Sequence, residues 1–147
     1  MTKRSRHFWI EVVLLALVVV SVAAAITVSE LSPLTKDDLR LEIADLRSFA
    51  QDGAQLINQH LAGQTTQTFF DSQAEQIKLK VDSSLKTLRN SSAKPEIETD
   101  RQQAVGLAQQ LSSEFDRLCT SQLELERSGP RLKTLGKQLR EMEERMK

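Results

Sequence analysis

Few side chains in this sequence have types that do chemistry, and their spacing decides which chemistry is open to them. Of the two histidines, His7 precedes a long apolar run and His60 falls inside a helical pattern. A metal site on one helix face needs further ligands three or four residues away. Around His60 those positions hold Leu56, Ile57, Gly63 and Gln64. His60 is therefore expected to cap or fill the end of an apolar stripe, and a metal site would need ligands from distant elements. Cys119 is the single cysteine, which excludes a disulfide within the chain. With no second thiol and only Arg117 as a basic neighbour, it reads as a small buried hydrophobe, with a redox or crosslinking role as the alternative. Arg101 interrupts an apolar stripe between Ile97 and Ala104. It is a candidate anion ligand at the end of a bundle, or else a side chain that reaches along the helix to water. There is no glycine-rich phosphate loop, no Ser/His/Asp grouping and no pair of catalytic carboxylates. No cofactor, no metal and no enzymatic activity are expected.

These residues are positioned by two kinds of element. The first is the run 8–28, FWIEVVLLALVVVSVAAAITV, in which only Glu11, Ser21 and Thr27 are not apolar. At ~1.5 Å per residue it reaches ~30 Å, the thickness of a bilayer's hydrocarbon core. Lys3, Arg4 and Arg6 precede it, Trp9 suits the head-group level, and no basic residue follows until Lys36. The charge bias predicts a single-pass signal anchor in the inner (cytoplasmic) membrane. Residues 1–7 form a cytoplasmic basic tip, 29–34 a linker, and 35–147 a periplasmic or extracellular domain. Glu11 lies within a turn of the cytoplasmic edge and reads as a boundary residue rather than a proton pathway. The rival is a cleaved signal peptide, since Ala23-Ala24-Ala25 supplies a small-residue site near Ala25. Either way the same domain is exported.

The second kind of element is the amphipathic helix. Thr35 followed by Asp37 and Asp38 opens a helix whose Leu39, Ile43, Leu46, Ala50, Gly53, Ile57 and His60 share one face, widened by Phe49, Leu56 and Leu61. Glu42 stands at the edge of that stripe, where its carboxylate is expected to reach water. Thr65 or Thr66 caps a second helix carrying Phe70, Ala74, Ile77, Val81, Leu85 and Leu88. Pro95 suits the first turn of a third, with Ile97, Ala104, Ala108, Leu111, Phe115, Leu118 and Leu125. The heptad phase slips across Gly129-Pro130, which predicts a turn there and a short fourth helix. The expected helices are 36–62, 66–90, 95–127 and 130–147: an all-α, antiparallel bundle of about four helices.

In that fourth helix Leu132, Leu135, Leu139, Met142 and Met146 recur at three, four, three, four. Six basic and three acidic residues surround them in 131–147. The stripe either closes its own bundle or forms a partner-binding seam. A helix of about 17 residues cannot cover the groove left by three longer ones, so a homodimer, another protein or the membrane-proximal helix is expected against the remainder. Residues 1–29 hold three basic and one acidic residue, leaving 17 basic and 19 acidic and a net of −2 in the rest. That balance offers no electrostatic case for nucleic acid.

A signal anchor followed by four long external helices resembles, in layout, the membrane-anchored four-helix-bundle sensor domain of bacterial chemoreceptors, over residues 35–147. Such a receptor would continue through a second span, and this sequence ends at Lys147. Leu34-Thr35 is faintly similar to the L-T-x-x-Q stretch of periplasmic helical stress and metal-resistance proteins, with Asp38 where the Gln stands. The expected function is a non-enzymatic, membrane-anchored module that acts by protein binding or scaffolding. The alternative implied by the resemblance is a small-ligand or envelope-stress sensor.

Overall fold

Residues 33–118 and 122–147 are described by a computed structural model. The apolar run 8–28, with Glu11 and the signal-anchor and cleavage expectations, lies outside the described residues, as does Cys119. Among the described residues no helix is long and apolar enough to cross a membrane.

Four helices carry the fold: α1 (Lys36–Leu61), α2 (Gln67–Asn90), α3 (Pro95–Arg117) and α4 (Gln122–Arg145). The first three begin where local chemistry favours it. Thr35 accepts from the Asp38 N–H at 3.2 Å while the Asp38 carboxylate accepts from the Thr35 N–H at 3.1 Å, a reciprocal cap that satisfies two donors. Of the two candidate caps for α2 it is Thr66 that accepts, from the Phe69 N–H at 3.3 Å. Pro95 occupies the first turn of α3, where its missing N–H costs nothing. Gly63, at φ 70°, supplies the left-handed residue that ends the α1–α2 corner.

The helices alternate in direction and close a square. α1 packs on α2 and α4, α3 packs on α2 and α4, and α1 and α3 touch across the diagonal. The chain enters at the base, where the Leu34 N–H donates to the Ser92 carbonyl at 2.7 Å in the α2–α3 connection. No strand forms among the described residues; Leu34 and Ala93 make an isolated bridge. The predicted stripes fill the core: Leu39, Ile43, Leu46, Phe70, Val81, Leu88, Leu111, Phe115, Leu132 and Leu139 are all buried. At the end away from the base, Leu61, Phe69 and Leu123 stay exposed.

The third and fourth helices depart from expectation. α3 stops at Arg117, Leu118 closes its last turn on the Phe115 carbonyl, and α4 runs from Gln122 straight through Gly129-Pro130. Two physical facts allow this. Gly129 has no Cβ to clash with the proline ring that follows it, which removes much of the bias against helix before proline. Pro130 is exposed, so water can serve the carbonyl of Glu126 that its ring leaves without a donor. Leu125 therefore belongs to α4, not α3. Buried Ser128, a polar residue, fills the missing place in the stripe 125, 128, 132, 135, 139, 142, 146. At 24 residues α4 matches helices of 26, 24 and 23. The fourth helix is therefore not short, and its length gives no reason to expect association. Glu42 also differs: one carboxylate oxygen is buried with no hydrogen-bond partner. Burial pushes its pKa up, the Ser84 hydroxyl offsets this in part, and Asp45 adds to it.

Candidate functional site

The four stripe residues of α4, and Met146 just past its end, line the interior of the chain's own bundle. Leu132, Leu139 and Met142 are fully buried, and Leu135 and Met146 nearly so. The α1–α4 seam is tight because glycines of α4 face α1: a Cβ on Gly136 would lie 3.5 Å from that of Ala50, and one on Gly129 3.6 Å from Ile57.

Arg101 is engaged on every nitrogen. Nε and Nη2 donate to the two carboxylate oxygens of Glu98 at 2.9 and 2.7 Å, and Nη1 donates to the Leu88 carbonyl at 2.6 Å. It thus ties α3 to the last turn of α2, where carbonyls lack helical donors. An external anion would have to displace Glu98. The guanidinium, together with the Gln102 amide, holds the Glu98 carboxyl at about 2, below its ordinary 4.5. A depressed acid stabilises the fold above its unfolded pKa, and that contribution is lost as pH falls from 4.5 towards 2. Glu98→Gln should therefore melt slightly below wild type at pH 7, with the gap closing by pH 2. A gap of constant size across that range would contradict the assignment.

His60 stacks on Phe70 with ring centroids 4.5 Å apart, and its Nδ1 lies 3.2 Å from the Thr65 hydroxyl. It fills the end of the α1 stripe at the corner into α2. Among the described residues no group of three or more His, Cys, Asp or Glu is placed to hold a metal.

The feature that sequence reasoning missed lies between α3 and α4, the sparsest of the four neighbouring helix contacts. On the other side of α3 the seam with α2 is held shut. Ser112 donates to Asp82 at 2.6 Å, and Lys78 bridges Asp82 and Asp116 at 3.0 and 3.2 Å. Towards α4 the helices part into an open groove of about 820 Å³. Gly106, Gln109, Gln110, Ser113 and Arg117 form one wall, and Pro130, Arg131, Thr134 and Gln138 the other. Glu114 lies at its floor with a side chain only 10% exposed. It accepts from Arg117 at 2.9 Å and from buried Ser128 at 3.2 Å, and Arg131 stands 3.5 Å away. Both walls follow helical spacing, 106-109-110-113-117 and 130-131-134-138, so the signal was present. It resembles any solvated helix face until the two faces are seen to confront each other.

The groove's lining offers hydrogen-bonding and cationic side chains. Glutamine amides offer both donors and acceptors, the guanidiniums favour carboxylates, and the one buried carboxylate is already paired. Comparison with protein families, with curated proteins and with solved structures found no match.

Proposed function

We propose that this chain is a non-enzymatic, membrane-anchored helical module that acts by binding another protein, with its bundle on the periplasmic or outer side of the cytoplasmic membrane. The observation that carries the binding reading is the α3–α4 groove, an open recess walled by hydrogen-bonding side chains. A small-molecule sensor would call for an enclosed cavity; this recess is open to solvent along the helices. Glu114, the carboxylate placed to act as acid or base, is spent on Ser128 and Arg117, which supports a role without catalysis.

The anchor reading rests on the sequence: an apolar run of spanning length, basic residues before it and none directly after it. A reporter active only in the periplasm, fused after Lys147, should be active, and a cytoplasm-active reporter silent. The reverse pattern would sink the placement, and a mature N-terminus at Ile26 would replace the anchor by a cleaved leader. The binding reading is tested by crosslinking in native membranes followed by mass spectrometry. A reproducible protein neighbour joined to residues 34–147 is expected; none would overturn it.

A further inference from the structure

Gly106 is the residue that calls for an explanation. A glycine in the middle of a helix costs roughly 0.5–1 kcal/mol relative to alanine. Elsewhere in this bundle that cost has a visible reason: a Cβ at Gly53 would collide with Phe115, and Gly129 and Gly136 lie against α1. At Gly106 a Cβ would meet nothing within 4 Å. The open space it leaves is part of the α3–α4 groove. Nothing in the fold uses the close approach to the α3 backbone that this glycine permits.

Three further features define what would use it. From Gly106 to Arg117 the groove follows α3 for ~16 Å, the length of about five residues of extended chain. Its walls carry Gln109, Gln110 and Gln138, whose amides match the alternating N–H and C=O groups of an extended backbone. A docked helix has those groups already satisfied and needs a row of large apolar side chains instead, whereas Leu135 and Pro130 are the only such residues lining this groove. Finally, Arg131 approaches Glu114 at 3.5 Å and Glu124 at 4.0 Å, longer than a hydrogen bond, and its side chain is 45% exposed. Both contacts are made through Nη1 alone, and the groove is lined by two guanidiniums, Arg117 and Arg131, against one carboxylate, Glu114, so it carries an excess positive charge that a further carboxylate would balance.

We propose that the α3–α4 groove is the binding site for an extended acidic peptide segment of the partner protein, with its backbone against Gly106 and a carboxylate on Arg131. This rests on the protein-binding reading above and names the chemistry of what is bound.

The test is fluorescence anisotropy with the full chain in detergent micelles. The probe is a fluorescein-labelled, acetyl-capped hexapeptide of alternating Ala and Glu, and the control is its Ala/Lys counterpart. The Glu peptide should bind saturably and the Lys peptide should not. Arg131→Gln should weaken binding about tenfold or more, and Gly106→Leu, which fills the open space without touching the core, should abolish it. Arg131→Gln should still fold and melt cooperatively, and Gly106→Leu should melt at or above wild type, since it replaces a mid-helix glycine. Free glutamate at the peptide's concentration should not compete. No saturable binding, or binding indifferent to both substitutions, overturns the proposal; equal competition by free glutamate makes the site one for a small carboxylate and also overturns it. Failure of the groove and failure of protein binding are separable. Native crosslinks that map to the far end bearing Leu61, Phe69 and Leu123, unchanged in the Arg131 and Gly106 variants, would sink the groove and leave protein binding standing.

Discussion

Leu139→Asp should unfold the bundle, or lower its melting temperature so far that little folded protein remains at 37 °C. Leu139 is fully buried, near the middle of the α4 stripe between Leu135 and Met142. An aspartate there either ionises in an apolar interior or takes up a proton, and loses the packing of a leucine in both cases. The expected cost is at least ~4 kcal/mol, a large part of the ~5–15 kcal/mol that holds an ordinary domain together. Leu139→Met, which keeps the volume, should cost less than ~1.5 kcal/mol. Leu41→Asp is the control for adding a carboxylate as such: Leu41 is 61% exposed, and the change should stay within ~0.5 kcal/mol. Thermal melts of the full chain in micelles followed by circular dichroism read all three. If Leu139→Asp melted like wild type but lost a protein partner, the α4 stripe would be a docking face and not the wall of its own core.

That core was legible wherever apolar residues announced it. The stripes of α1 and α2 are readable for most of their length, because Leu, Ile, Val and Phe at alternating spacings of three and four leave no other face to bury; Leu61 is the exception and stays exposed, and Phe49 and Ile77 are half-buried. The failure came at Ser128. A buried position filled by a serine carries no hydropathy signal, so the stripe broke there and Leu125 was assigned to the wrong helix. Gly129-Pro130 then supplied a plausible turn. What overrode that turn was tertiary: Ser128 donates to Glu114 on α3, and Gly129 lets α4 lie against Ile57 of α1. Both partners are distant in sequence, one on the preceding helix and one on the first.

The candidate site was less legible than the fold, for a related reason. Polar residues at helical spacing on α3 and α4 are what any solvated face requires, and nothing local distinguishes two such faces that diverge from two that do not. Gly106 was the one available cue, a mid-helix glycine off the apolar stripe. Its meaning depends on what stands opposite, which only the packing of α4 reveals. Arg101 stands out in the sequence as odd, a candidate anion ligand or a side chain reaching to water, yet its partners, Glu98 one turn earlier and the carbonyl end of α2, make it a clamp between helices.

Two glycines should therefore respond to the same substitution with opposite signs. Alanine at either removes the backbone freedom that glycine enjoys when unfolded and gains roughly 0.5–1 kcal/mol of helix propensity. At Gly106 that gain is unopposed, and Gly106→Ala should raise the melting temperature. At Gly53 the new Cβ would lie 2.5 Å from Phe115 Cζ and 3.1 Å from Leu132 Cδ1. Phe115 is 2% exposed and Leu132 fully buried, so neither side chain has open space to move into. Gly53 is where the diagonal contact between α1 and α3 is made: the ring of Phe115 occupies the space a side chain would take. Relieving the overlap means driving the ring off its rotamer or spreading the helices, a penalty of about 1–3 kcal/mol that outweighs the propensity gain. Gly53→Ala should thus destabilise by ~1–2 kcal/mol, and Gly53→Val by more. A double-mutant cycle separates collision from any other cause. Phe115→Leu alone leaves space in the core and is destabilising, but combined with Gly53→Ala it should cost less than the two changes added together, by ~1 kcal/mol or more. Strict additivity, or a Gly53→Ala protein that melts above wild type, would show that Phe115 does not lie across Gly53 and that the diagonal of the bundle is packed some other way.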